Sequence, residues 1–182
     1  MNRREILASV RANVQDKSTR SHILATEAIM RSLASRLDQD EQEWALAALL
    51  HDIDVELVGD DDPSHSKLAA DIALELGAPE SVYHAILCHN QAHGLPRETL
   101  LDRGLFCADA LSRLITAAAH ADPASLGGLT AETLRQRFHQ EGFAPEADRT
   151  QLAECHELGL GLGETLALGL EAMVRARSDL AL

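Results

Sequence analysis

A histidine and an aspartate stand side by side where an apolar segment of the sequence gives way to an acidic one. His51 and Asp52 follow residues 44–50, which read WALAALL, and they precede Asp54 and Glu56. At the end of a helix, an imidazole nitrogen and a carboxylate can both turn toward one metal ion, and the carboxylate can bridge to a second ion. Further residues of the same two types occur before and after this pair: His22, His65, His89 and Asp109. Metal binding is therefore the chemistry that these residue types predict.

Each of the further residues lies at or near the start, the end or the inner stripe of a predicted helix. A single histidine on an apolar stripe is usually a core histidine with a satisfied hydrogen bond, and for His22 or His89 alone we would favour that interpretation. Four inward histidines with two inward aspartates are harder to explain in that way, because a buried carboxylate is costly unless it is paired or bound to a metal. Helical bundles hold metals between ligands on facing helices, so we favour the metal site.

The order of these six residues resembles that of the HD superfamily of metal-dependent phosphohydrolases, and in particular a bacterial subgroup of HD-domain hydrolases. The segments that carry the resemblance are ALLHDID at 48–54, AILCHN at 85–90 and CADAL at 107–111. The resemblance covers roughly residues 15–120 by motif. It implies an all-α fold and metal chemistry, and it leaves the substrate open.

The resemblance also implies a role for each ligand. Four residues match the minimal set around a first metal ion: His22, His51, Asp52 and Asp109. His65 and His89 match the ligands that two-metal members add for a second ion, and Asp52 would bridge both ions. We therefore expect two divalent ions, and iron, manganese, cobalt, nickel or zinc suits a histidine-rich set better than magnesium alone.

Two cations close together can polarise a phosphoryl oxygen and generate hydroxide from a bridging water, which attacks phosphorus. The expected function is thus a phosphohydrolase acting on a small nucleotide or another phosphorylated metabolite. Asp52 and Asp54 are the expected catalytic residues, with Asp54 orienting a ligand or moving a proton. The competing interpretation of Asp54 is a solvated acidic loop. For Arg113, one turn after Asp109, the alternatives are phosphate binding and a surface salt bridge.

Two other functions are compatible with the same ligands. HD-fold proteins with the full histidine set can use paired iron for oxygen-dependent cleavage, and a non-catalytic module could bind a metal or ligand without turnover. The sequence lacks the Glu-Asp pair that we associate with guanosine-tetraphosphate hydrolases and the Gly-Tyr-Pro element of cyclic-di-GMP phosphodiesterases. Both absences speak against those two substrates.

The hydrophobic periodicity predicts an all-α, single-domain helical bundle that comprises residues 1–182. The motif core spans about 15–120, and C-terminal helices at about 130–177 pack on it. The inner stripe of the second helix carries His22, and Asp40 caps the third. The predicted helices are 3–14, 19–37 with Ser18 or Thr19 as its cap, 41–50, a segment from Ser64 to Gly77, 79–89, 97–120, 130–140, 146–158 and 163–177.

The composition indicates which classes of binding partner and which cellular compartment to expect. A net charge of −13 in 182 residues argues against bulk nucleic-acid binding and against binding to an anionic membrane. Cys88, Cys107 and Cys155 are widely spaced, so we expect reduced, helix-packing thiols and no disulfide. No signal-like or membrane-length apolar run is evident, which predicts a cytoplasmic protein. The oligomeric state is left open.

Overall fold

The computed structural model of the chain describes residues 2–59, 61, 63–122 and 124–180, so the predicted domain bounds at residues 1 and 182 lie outside it. Within these residues the chain forms helices and no strand, which confirms the all-α prediction. The α-helices are α1 Arg3–Asn13, α2 Lys17–Arg36, α3 Glu41–Leu50, α4 Val55–Val58, α5 Lys67–Glu75, α6 Glu80–His89, α7 Leu100–Ala121, α8 Ala131–His139, α9 Arg149–Glu154, α10 Leu162–Arg175 and α11 Arg177–Leu180. Short 3₁₀ helices occupy Gln91–His93, Ser125–Gly128 and Cys155–Leu158.

Capping residues fix where the central helices begin. Asp40 caps α3 as predicted, because its carboxylate accepts hydrogen bonds from two backbone N–H groups of the first turn. The α2 helix begins earlier than predicted, at Lys17. Asp16 caps it instead of Ser18 or Thr19, and its carboxylate accepts the Thr19 N–H at 2.8 Å.

The long helix α7 lies at the centre of the packing. It contacts α2, α6, α9 and α10, while α2 also packs along α3. The buried apolar side chains form one cluster that extends from Ile6 to Leu180. Because α2, α3, α6 and α7 meet in this cluster, side chains on their inner ends can converge on one site.

Gly104 allows α7 to approach α3 closely. A Cβ atom added at Gly104 would lie 2.4 Å from Cζ3 of Trp44, whose side chain is almost wholly buried. Real Cβ atoms do not make such a contact, so the aromatic ring occupies the space that a side chain at this position would need.

We expect Gly104→Ala to lower the free energy of unfolding by about 1–3 kcal/mol, the usual cost of overpacking a core, despite the better helix propensity of alanine. Thermal or denaturant unfolding measures the change. Gly163→Ala is the matched control, since this exposed helical glycine has open space around its Cβ position and the change should be neutral or stabilising. Equal stability of the two variants would contradict the packing argument.

The start of α5 differs from the prediction. Ser64 does not begin the helix, and His65 lies in a turn before it, followed by Ser66 in the left-handed region at φ 68°. The buried face of α5 consists of alanines at 69, 70 and 73, whereas the larger Leu68 is 36% exposed. Small alanines let α5 pack closely, and the turn frees His65 from the helical stripe.

The prediction of three reduced thiols is wrong for two of them. Cys107 of α7 and Cys155 form a disulfide with Cα atoms 5.3 Å apart, and Cys88 is the remaining free cysteine. The two cysteines are 48 positions apart in the sequence, so no short cysteine-spacing pattern predicts the disulfide. The bridge ties the C-terminal 3₁₀ helix at 155–158 to the central helix.

None of the helices in the described part of the chain has the length and apolar character needed to cross a bilayer.

Candidate metal centre

The structure brings all six predicted ligands to one place. They come from five segments: His22 from α2, His51 and Asp52 from the end of α3, His65 from the turn before α5, His89 from the end of α6, and Asp109 from α7. They form two overlapping groups whose ligand atoms lie within 4.8 Å of one another, and Asp52 belongs to both. One group is His22, His51, Asp52 and Asp109, and the other is Asp52, His65 and His89.

Asp52 divides its two carboxylate oxygens between two pairs of histidines. Oδ2 lies 3.4 Å from Nε2 of both His22 and His51. Oδ1 lies 3.5 Å from Nε2 of both His65 and His89. Oδ1 is also buried without a hydrogen-bond partner among the described residues. A buried carboxylate oxygen in this position is costly unless a cation or proton lies beside it.

The opposite ring nitrogens of the histidines show which nitrogen is free to bind a metal. Nδ1 of His51 lies 2.7 Å from the carbonyl oxygen of Ala48, and Nδ1 of His89 lies 2.5 Å from that of Ile86. A carbonyl can only accept, so each Nδ1 carries the proton and each Nε2 presents a lone pair. These carbonyls lie in the last turns of α3 and α6, where backbone acceptors commonly lack a partner within the helix. The helix ends therefore set the tautomer.

His22 and His51 face each other with Nε2 atoms only 3.3 Å apart. Nδ1 of His22 lies 2.9 Å from the Ser112 hydroxyl, which donates its own proton to the carbonyl oxygen of Asp109. His22 Nδ1 is then the donor to Ser112. Nε2 of His22 also lies 2.9 Å from Asp109 Oδ1, and with its proton on Nδ1 it offers both neighbours a lone pair, so the arrangement fits a cation among these atoms. No sequence motif marks Ser112.

Burial and charge prepare the site for cations. Burial lowers the pKa of His51 to about 4, which keeps this imidazole neutral at physiological pH. Burial alone would raise the pKa of Asp52, but the neighbouring His51 and His22 hold it well below its usual value. The pKa of Asp109 is likewise lowered, against burial, by His22 and Arg113. Two ionised carboxylates thus lie beside the neutral imidazole of His51 in a buried space.

Arg113 forms ion pairs with both carboxylates of the site. Its guanidinium lies 3.0 Å from Asp109 Oδ1 and 3.5 Å from Asp52 Oδ2, while about a third of its side chain remains exposed. One positive charge does not neutralise two buried carboxylates. The salt bridge considered in the sequence analysis is present, but it lies at the centre and not on a remote surface.

Asp54 is fully buried and orients His65. Its Oδ1 accepts a hydrogen bond from His65 Nδ1 at 2.9 Å, and its Oδ2 accepts the backbone N–H groups of Ser66 and Ala69 at 2.8 and 3.0 Å. This is the carboxylate–histidine arrangement that fixes a ligand's tautomer and orientation. The carboxylate points at the ligand and not into solvent.

Residues 90–93 brace the same turn from the other side. The Asn90 side chain donates to the carbonyl oxygen of His65, and Nε2 of His93 lies 2.9 Å from that carbonyl and from the Ser66 hydroxyl. His93 ends the 3₁₀ helix that follows α6, and no sequence motif includes it. The AILCHN segment contains Asn90 but says nothing about a contact to a turn 25 residues earlier.

The donor set fits divalent transition ions. Four imidazole nitrogens and two carboxylates suit zinc, iron, manganese, cobalt or nickel, and the shared aspartate lies where it can contact two ions. The cluster could therefore hold metal, with two groups of ligands joined by one carboxylate.

Comparison with known proteins agrees with this geometry. The family model of the HD domain matches residues 19–114, a stretch that contains every one of the six ligand residues. Neither the curated proteins nor the solved structures contain a match to the chain. The matched stretch covers more than half of the 182 residues. The chain belongs to the HD domain family.

Proposed function

We propose that the protein is a metal-dependent phosphohydrolase that cleaves a phosphate ester of a small nucleotide or another phosphorylated metabolite with two divalent ions. The observation that carries the proposal is the sharing of Asp52, whose two oxygens face two separate pairs of imidazole nitrogens. The HD family consists mostly of metal-dependent phosphohydrolases, which supports the reaction class.

The candidate ligand residues can be assigned to two ions. When bound, divalent ions would supply the Lewis acidity that polarises a phosphoryl oxygen and lowers the pKa of a water. His22, His51 and Asp109 would hold one ion, His65 and His89 the other, and Asp52 both. The Nδ1 hydrogen bonds of the four histidines hold their rings in place, so these side chains need no rearrangement when substrate binds.

A cavity of about 660 Å³ provides room for the substrate beside the centre. His22 and Arg113 line it together with Lys17, Ser21, His120 and one acidic residue, Glu146. Cationic and hydroxyl side chains suit phosphate oxygens, and the volume is in the range of small-molecule sites. The local positive groups would draw an anionic metabolite toward the centre although the chain as a whole carries −13.

Activity after metal replacement tests the proposal. Protein stripped with a chelator should lose turnover of a panel of nucleotides and sugar phosphates and regain it with manganese, cobalt, nickel, iron or zinc. Release of inorganic phosphate or of a nucleoside product is the readout. Metal-loaded protein that binds members of the panel without turnover would instead support a non-catalytic binding module.

The four imidazoles favour one second candidate, a di-iron oxygenase, because nitrogen-rich carboxylate-bridged sites also hold paired iron. Oxygen uptake by iron-loaded protein in the presence of an organic substrate, with no phosphate release from the panel, would replace the hydrolase proposal by this one.

We expect Arg113→Gln to lower kcat/KM by about 10- to 100-fold, since a hydrogen bond from a charged group contributes about 1.5–3 kcal/mol. The guanidinium is partly exposed and faces the cavity, so its donors can reach phosphate oxygens. The measurement pairs steady-state kinetics with metal analysis. Metal content should stay the same, because Arg113 is not a ligand. A fall in metal content together with kcat/KM would show that Arg113 supports the metal site and does not bind substrate. Arg135→Gln, at an exposed position of α8, is the control.

A further inference from the structure

A second group of ligand-type side chains lies on a different face of α6 from His89. His84 and Cys88 are four residues apart on that helix, and Asp102 stands in the first turn of α7. Residues at i and i+4 lie next to each other on a helix surface. One ligand atom from each of the three residues lies within 4.8 Å of the other two. None of the three belongs to the centre described above.

Asp102, which is buried like Cys88, lacks a hydrogen-bond partner among the described residues for one of its two carboxylate oxygens. One oxygen, Oδ2, accepts the backbone N–H groups of Glu98 and Thr99 at 3.0 and 2.8 Å and lies 3.2 Å from His84 Nδ1. The other oxygen, Oδ1, is buried and has no hydrogen-bond partner in the described part of the chain. A buried acceptor without a donor carries a desolvation cost. A bound cation would remove it.

We infer that His84, Cys88 and Asp102 form a separate binding site for one zinc-like divalent cation. Thiolate, imidazole and carboxylate are all zinc ligands, and three protein ligands leave a fourth position for water. His84 is about a third exposed, so the ion has a path from solvent, whereas Cys88 and Asp102 are buried. Binding would release the thiol proton to solvent, and the thiolate and carboxylate would then balance the two charges of the ion.

The surroundings of the group permit a cation. The nearby guanidinium of Arg97 stacks on the Phe106 ring at 3.7 Å and pairs with Glu154 at 2.7 Å, so its charge is already compensated. An ion held by α6 and α7 would clamp the two helices together. Because α6 ends at His89, the clamp would also hold that ligand in place.

The same three residue types also occur at nucleophilic cysteine sites, and the structure argues against that use here. Burial and Asp102 raise the pKa of the Cys88 thiol to about 12, whereas an activated thiol needs a lowered one. Asp102 Oδ1, which has no hydrogen-bond partner among the described residues, also favours a cation, which a nucleophilic cysteine site would not supply. A metal ion is therefore the better occupant.

Cobalt(II) absorption separates this site from the histidine–aspartate centre. Metal-stripped, non-reduced protein is titrated with cobalt(II), and we expect a thiolate-to-cobalt charge-transfer band in the near ultraviolet. Cys88 is the only cysteine outside the disulfide, and the other centre contains no thiolate. Zinc should abolish the band at one equivalent per site.

Three variants complete the experiment. Cys88→Ser should lose the band, and His84→Gln should weaken cobalt affinity at this site by about 10-fold or more. Asp52→Asn, which alters the other centre, should retain the band, so loss of the proposed hydrolase would leave this result intact. No band at saturating cobalt, or a band that survives Cys88→Ser, overturns the inference. His84→Gln keeps it testable if Cys88→Ser fails to fold, because His84 is partly exposed.

Discussion

Replacing Asp52 by asparagine is expected to abolish binding of at least one ion and to lower turnover by about 10³-fold or more. Asp52 faces all four ligand histidines, through Oδ2 on one side and Oδ1 on the other. An amide nitrogen at either position offers a donor where a metal needs a lone pair. Loss of several kcal/mol of metal-derived transition-state stabilisation corresponds to about three decades in rate.

Metal analysis, phosphate release and circular dichroism are measured on the same preparation of Asp52→Asn. The helical signal should persist, because the side chains that form the apolar core are unchanged. Asp71→Asn on the exposed face of α5 is the control and should match the wild type in all three measurements. Wild-type metal content in Asp52→Asn would remove Asp52 from the ligand set. Loss of helix without loss of metal would make it a structural residue.

Five of the six candidate ligands lie on a helix stripe or at a helix end, where local sequence patterns could place them, and the order of all six resembles that of the HD family. His22 follows the stripe that also buries Thr26 and Ile29, and His51-Asp52 ends an apolar helix. Such local patterns place side chains on one face before any tertiary contact is known. The all-α architecture followed from the same periodicity.

The contacts that hold the ligands were not predictable, because they join segments distant in sequence. The Ser112 hydroxyl reaches His22 across 90 positions, and the His93 ring reaches the turn at His65 across 28. The disulfide between Cys107 and Cys155 is of the same kind. A serine or a histidine outside a motif carries no signal of the partner that the fold brings to it.

The turn at His65 shows how tertiary contacts override a local pattern. Helical periodicity placed His65 at the start of the helix predicted from Ser64 to Gly77. In the structure the Asp54 carboxylate accepts the N–H groups of Ser66 and Ala69, which fixes the turn and the helix start together. Nothing in the acidic segment after His51-Asp52 indicates that the Asp54 carboxylate is buried and accepts backbone N–H groups at the start of α5.

We expect Asp54→Asn to weaken the second ion site by about 10- to 100-fold, the usual effect of changing a group that orients a metal ligand. The asparagine carbonyl can still accept the two backbone N–H groups, so its amide nitrogen must face His65 Nδ1. That nitrogen is a donor, which forces Nδ1 to become an acceptor and moves the ring proton to Nε2. A protonated Nε2 cannot bind a metal.

The expected result for Asp54→Asn is the loss of the ion at the second site, while the ion at the first site remains bound. Wild-type protein should hold two ions per chain in the histidine–aspartate centre, whereas Asp54→Asn and the double variant His65→Ala, His89→Ala should each hold one. These counts are made in a Cys88→Ser background, so that an ion at the separate thiolate group is not included. Two ions in Asp54→Asn with full activity would show that Asp54 does not set the His65 tautomer. One ion in the wild type and in all variants, with equal activity, would leave a one-metal centre built on His22, His51, Asp52 and Asp109.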